Sequence, residues 1–95
     1  MNKYYVKTNY YDGKRNEFFV LDKETPCKLR LLKVRSKQVD GNEYEGHEIP
    51  TNEKAVEMLS NGKIGYVYIQ VNKKNTEFKL WDGTPVEFDH LLLTN

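Results

Sequence analysis

The residues able to do acid–base or nucleophilic chemistry are few: one cysteine, Cys27, and two histidines, His47 and His90. A thiolate nucleophile needs a base and surroundings that lower its pKa. No glycine-rich turn or helix start follows Cys27 to do this or to offer an oxyanion hole, so Cys27 reads as a small buried side chain opening an apolar strand. His47 stands between Glu45 and Glu48, and His90 follows Asp89. Glu43, Glu45, His47 and Glu48 carry atoms a metal would accept, but the segment lacks a glycine-punctuated calcium loop, a His pair at helical spacing or a Cys cluster. It reads as an acidic stretch. Gly13, Gly41, Gly46, Gly62, Gly65 and Gly83 are scattered singly, so no phosphate-cradling loop is present. No catalytic residue, metal or cofactor is expected, and the chain reads as a non-enzyme.

The other chemistry the chain offers is recognition by charge and aromatic surface. Residues 1–37 hold ten Lys/Arg against four acids, residues 38–59 one Lys against six acids, and residues 60–95 four of each, giving a net charge of +1. In 27–37, Cys27, Leu29 and Leu31 alternate with Lys28 and Arg30. The phase then slips at Leu31-Leu32 and resumes as Leu32 and Val34 against Lys33, Arg35 and Lys37. A one-residue bulge at the slip predicts that all the leucines lie on one face and five cations on the other. Such a basic stripe suits phosphates or an acidic protein surface. The opposing expectation is that Glu43, Glu45 and Glu48 neutralise it as partners across a hairpin.

These side chains must be positioned by strands. Tyr4–Tyr11 and Glu17–Leu21 predict a β-hairpin about Asp12-Gly13. The adjacent pairs Tyr4-Tyr5, Tyr10-Tyr11 and Phe18-Phe19 then place one ring on each face of the sheet. Pro26 ends the second strand, and Cys27–Lys37 is the third. Val39-Asp40-Gly41-Asn42 is a turn signal, after which 43–49 fits a strand or a solvated loop. The spacing of Ala55, Val56 and Leu59 predicts one short helix over about 52–60, with Thr51 as N-cap and Asn61-Gly62 as the stop. Ile64–Val71 alternates as a central strand buried on both faces would, and Thr76–Trp81 and Val86–Leu93 complete the set.

The chain has 95 residues, with seven Tyr, four Phe and one Trp, so the aromatics must carry much of a small core. Length and the absence of a linker imply a single domain, 1–95. The element order excludes a parallel α/β sheet and leaves an α+β, β-rich fold: a curved antiparallel sheet or an OB-like, partly open barrel of five to seven strands with one short helix. No apolar run is long enough to span a membrane, and the first residues lack a secretory apolar stretch, so the cytoplasm is the expected address.

Three functions fit. The first is a small protein-binding module, acting as an adaptor, an assembly subunit or an inhibitor. Its expected contacts are Tyr5, Tyr11, Lys28, Arg30, Lys33 and Arg35, with Trp81 as an anchor or, alternatively, a core residue. The second is an OB-like domain binding single-stranded nucleic acid through the same stripe and nearby rings. The third is a small-ligand or nucleotide pocket lined by tyrosines. The Tyr-rich first strand and the Leu-rich last one, if they are sheet edges, predict a homodimer through an edge strand.

Overall fold

The computed structural model describes residues 2–10 and 13–90, and over these the chain forms nine strands: β1 (Tyr4–Asn9), β2 (Arg15–Glu24), β3 (Lys28–Gly41), β4 (Glu45–Lys54), β5 (Val56–Met58), β6 (Ile64–Tyr66), β7 (Tyr68–Asn72), β8 (Phe78–Leu80) and β9 (Val86–Asp89). Every pairing between them is antiparallel. The main sheet runs β8-β1-β2-β3-β4-β9, with β7 also on β3, and it curls into a half-barrel. β5 and β6 make a separate two-stranded ribbon.

The β1–β2 hairpin follows the expected pattern, with Tyr4 opposite Val20 and Val6 opposite Phe18. Alternation then gives the sheet two apolar faces. Val6, Phe18 and Val34 form one buried cluster, joined by Tyr4, Val20, Trp81 and Val86. Phe19, Leu29 and Leu31 form the other, joined by Tyr5, Leu21, Ile69, Val71 and Phe78. The paired aromatics are thus explained by a sheet packed on both sides.

β3 is the spine. β2 lies along one edge, from Leu29 to Val34. Along the other edge, β7 pairs Lys28–Leu32 and β4 pairs Val34–Gly41. The change of partner falls at Lys33, whose N–H donates to the Val67 carbonyl at 2.9 Å and whose carbonyl accepts from Ala55 N–H at 3.0 Å. Between those two anchors the chain leaves the main sheet as the β5–β6 ribbon. The far end of the half-barrel is tied by a bridge between Lys14 and Asp89, with bonds of 2.6 and 3.0 Å. Gly13 permits this approach: its φ is +81°, and a Cβ there would stand 2.5 Å from the Asp89 carbonyl oxygen.

Several expectations are corrected. No helix occurs among the described residues, so the architecture there is all-β rather than α+β, and 52–60 is strand and turn. Pro50 is buried in β4, pairing with Ser36, and the Thr51 hydroxyl donates to the Arg35 carbonyl instead of capping a helix. Strand pairing overrides a short helical periodicity. Of the two alternatives left for 43–49, the strand is the one formed, over 45–49. Ile64–Val71 is not a central strand: it splits at Val67 and, among the described residues, has a partner on one side only. Cys27 is exposed. The first strand is no edge over Tyr5–Lys7, where β8 covers it. Leu91–Leu93 lie outside the described residues.

Candidate interaction surface

The basic stripe is not assembled as expected. β3 keeps an unbroken register through Leu31 and Leu32, against both β2 and β7. The irregularities lie at Asp22 on β2, opposite Arg35 where β4 carries extra residues between Pro50 and Lys54, and at Val39, further along β3. Lys28 and Arg30 therefore share a face with Leu32 and Val34, while Lys33 and Arg35 share the opposite face with Leu29 and Leu31. The leucines do not need gathering on one side, because each face has its own core.

Most of these cations are also engaged. Arg30 Nε lies 3.4 Å from Asp22, Lys33 Nζ lies 3.5 Å from both Glu17 and Glu57, and Arg35 Nε lies 3.6 Å from Glu53. The neutralising acids are not Glu43, Glu45 and Glu48; Glu48 instead accepts from Asn16 Nδ2 at 2.9 Å. Lys28 is exposed and forms no ion pair among the described residues. Tyr5 packs half-buried on the Phe19 cluster. Trp81 packs on the Phe18 cluster, edge-on to Tyr4 with ring centroids 5.8 Å apart, and its indole N–H donates to the Thr84 carbonyl at 2.7 Å. Tyr11 lies outside the described residues. The predicted contacts are therefore divided between two faces and, for the rings, turned toward the cores.

The open surface lies elsewhere. In the β5–β6 ribbon Val56 faces Tyr66 and Met58 faces Ile64 across the ladder. Directly opposed residues project to one side, so these four form a single apolar patch. It is exposed: 47% for Val56, 74% for Met58, 72% for Ile64 and 48% for Tyr66. Large apolar side chains gathered in this way on a protruding ribbon are what an interface core is made of. Nothing in the main sheet covers them. Tyr68, 43% exposed, continues the row along β7.

Cations sit on this tyrosine row. The Arg30 guanidinium lies 4.3 Å from the Tyr68 ring centre, and Lys54 Nζ lies 5.1 Å from that of Tyr66. A cation over a ring face in partly open surroundings contributes roughly 0.5–1 kcal/mol. The sequence did carry a signal for this region. Residues 64–72 (Ile-Gly-Tyr-Val-Tyr-Ile-Gln-Val-Asn) hold no charge and are bracketed by Lys63 and Lys73. Sequence reasoning assigned that run to the interior.

Three concave regions remain, one of them a shallow hollow of about 360 Å³ whose walls include Glu17, Lys33 and Arg35. A groove of about 420 Å³ lies between β1, β8 and the 82–86 loop, with Val6, Tyr10, Leu80, Trp81, Pro85 and Val86 among its walls. The Asp82 carboxyl beside it is held below its ordinary pKa, first by the Thr84 hydroxyl and then by the Thr84 backbone N–H. At the β3–β4 turn, Asp40, Glu45, Glu87 and Asp89 line a smaller hollow in which His47 Nδ1 lies 2.9 Å from Asp40. Among the described residues no three His, Cys, Asp or Glu side chains are grouped to hold a metal ion. No helix there is long and apolar enough to cross a membrane.

Comparison with known proteins finds no family model, no curated protein and no solved structure that matches the chain.

Proposed function

We propose that this chain is a non-catalytic protein-binding domain acting in the cytoplasm as an adaptor, assembly subunit or inhibitor, and that its contact surface is the β5–β6 ribbon rather than the predicted basic stripe. One observation carries the reading: Val56, Met58, Ile64 and Tyr66 form a contiguous apolar patch that the fold leaves in water although two other apolar clusters of the same chain are closed. Burying a side chain such as Ile64 or Met58 against a partner contributes about 1.5–3 kcal/mol, so four of them suffice for an interface centre.

The test is affinity capture with the chain as bait, beside a Met58→Glu/Ile64→Lys variant and an Arg30→Glu/Arg35→Glu variant. The expected result is a partner retained by the arginine variant and lost from the ribbon variant. A partner captured equally by the ribbon variant would place the site elsewhere.

A second reading has its own support. Tyr66 ends β6 and Tyr68 opens β7, two residues apart, with Lys54 and Arg30 over them, the combination of ring and cation that single-stranded nucleic acid uses. An OB-like role would show oligonucleotide binding whose logarithmic affinity falls with log salt. No binding at low salt ends that reading.

A further inference from the structure

The free edge beside the patch points to what kind of protein surface docks there. Ile64–Asn72 is one extended run whose inner side pairs first with β5 and then with β3. Its backbone keeps one alternation across the break at Val67. Leu59 N–H donates to the Lys63 carbonyl, Lys33 N–H to the Val67 carbonyl, and Lys73 N–H to the Cys27 carbonyl. In an antiparallel ladder the hydrogen-bonded pairs alternate with pairs whose N–H and C=O point away from the partner. Gly65, Ile69 and Val71 therefore turn their backbone inward, and Ile64, Tyr66, Tyr68 and Gln70 turn theirs outward. No strand lies on that outer side among the described residues.

An uncharged, β-prone edge with a row of unused donors and acceptors is a template for another strand. The surrounding charge decides whose strand it is. Lys63 precedes the run and Lys73 and Lys74 follow it, while Lys54 and Arg30 sit over its tyrosines. The nearby carboxylates are already taken, Asp22 by Arg30, Glu24 by Lys73 and Glu57 by Lys33. Lys54, Lys63 and Lys74 have no carboxylate partner among the described residues. A second copy of this chain fits poorly: the antiparallel register that pairs all nine residues sets Ile64 opposite Asn72 and Lys63 opposite Lys73, and like charges directly opposed repel.

Resting on the protein-binding reading above, we propose that the partner contributes an extended segment that adds as a strand to the outer edge of Ile64–Asn72, with uncharged side chains across Tyr66, Tyr68 and Gln70 and carboxylates at its ends facing Lys63 and Lys74. The backbone of the edge supplies the hydrogen bonds, the ribbon's apolar patch supplies the buried area, and the flanking lysines select the acid-ended segment.

The probe is a blocked synthetic nonapeptide, Glu-Glu-Val-Thr-Val-Thr-Val-Glu-Glu, titrated into the ¹⁵N-labelled chain beside the same core ended by lysines. The expected result is saturable shifts centred on the amides of Ile64, Tyr66, Tyr68 and Gln70, with the Glu-ended peptide binding at least tenfold more tightly. Lys63→Glu/Lys74→Glu reverses that preference. Gln70→Pro removes one outward donor while leaving the inner ladder intact, and abolishes binding without altering the rest of the spectrum. Shifts located elsewhere, equal binding of both peptides, no binding of either, or a dimer of the free chain formed through this edge would each overturn the proposal. If the peptides fail while the ribbon variant still loses its captured partner, the strand mode is wrong and the protein-binding reading stands.

Discussion

The sheet centred on β2 and β3 and the run from β5 to β7 are built from the same residue types, yet they behave as opposites. Phe18 and Leu31 are 1% and 0% exposed, whereas Ile64 and Met58 stand more than two-thirds in water. What separates them is the number of partners. β3 has strands along both edges and apolar clusters on both faces, while the β6–β7 run has a strand along one edge and an open face beside it. Apolar character alone does not mark a core; closure on every side does.

The contrast predicts unequal costs of substitution. Phe18→Ala leaves a cavity that rigid neighbours on three strands cannot fill, and is expected to cost about 3–5 kcal/mol by urea unfolding. Ile64→Thr, with nothing packed around it, should stay within about 0.5 kcal/mol. Comparable losses at the two sites would mean that the ribbon is covered. Next in size is Gly13→Ala, where a positive φ and a backbone oxygen in the way combine. It should cost at least about 1–2 kcal/mol and loosen the tie between Lys14 and Asp89. Smaller again is the Arg30–Asp22 pair, both partners substantially exposed, for which a double-mutant cycle should return about 0.2–1 kcal/mol. A larger coupling would restore Arg30 to a structural role and weaken its place in the tyrosine row.

The smallest effect is on acid stability. Glu24 is held below its ordinary pKa by its hydrogen bond to Lys73 and then by the charge of Lys73, and Asp82 is held low by Thr84. A depressed folded-state pKa means that the unfolded chain binds protons first. Their contribution is present above the ordinary carboxylate values and is lost as pH falls through the lowered ones. Lys73→Met should therefore lower stability slightly near neutrality, leave it unchanged well below the carboxylate range, and so flatten the acid limb between the two. An unchanged stability near neutrality, or an equal loss at low pH, would contradict the assignment.

Local signals in the sequence were sufficient for the hairpin of β1 and β2, whose pairing follows from the alternation of its apolar residues, and for the strand character of β3. They misplaced the bulge, because the slip at Leu31-Leu32 implies one only if a single face is buried. They misread 52–60, because Ala55, Val56 and Leu59 satisfy helical spacing, while the pairing of Pro50 with Ser36 is a long-range fact. They placed 64–71 at the centre, because an uncharged alternating strand looks alike in the middle of a sheet and at its edge. The predicted contact residues do not gather on one face for one reason: Lys33 and Arg35 point away from Arg30 once the bulge is gone. The charge-free run between Lys63 and Lys73 was visible throughout, but its exposure depends on which strands arrive beside it.

Residue-resolved amide exchange across 64–72 in the free chain examines the edge itself. Slow exchange is expected at Gly65, Ile69 and Val71, with exchange orders of magnitude faster at Ile64, Tyr66, Tyr68 and Gln70. Uniform protection of both sets would show that this flank is already occupied, and the docking surface inferred from it would be gone.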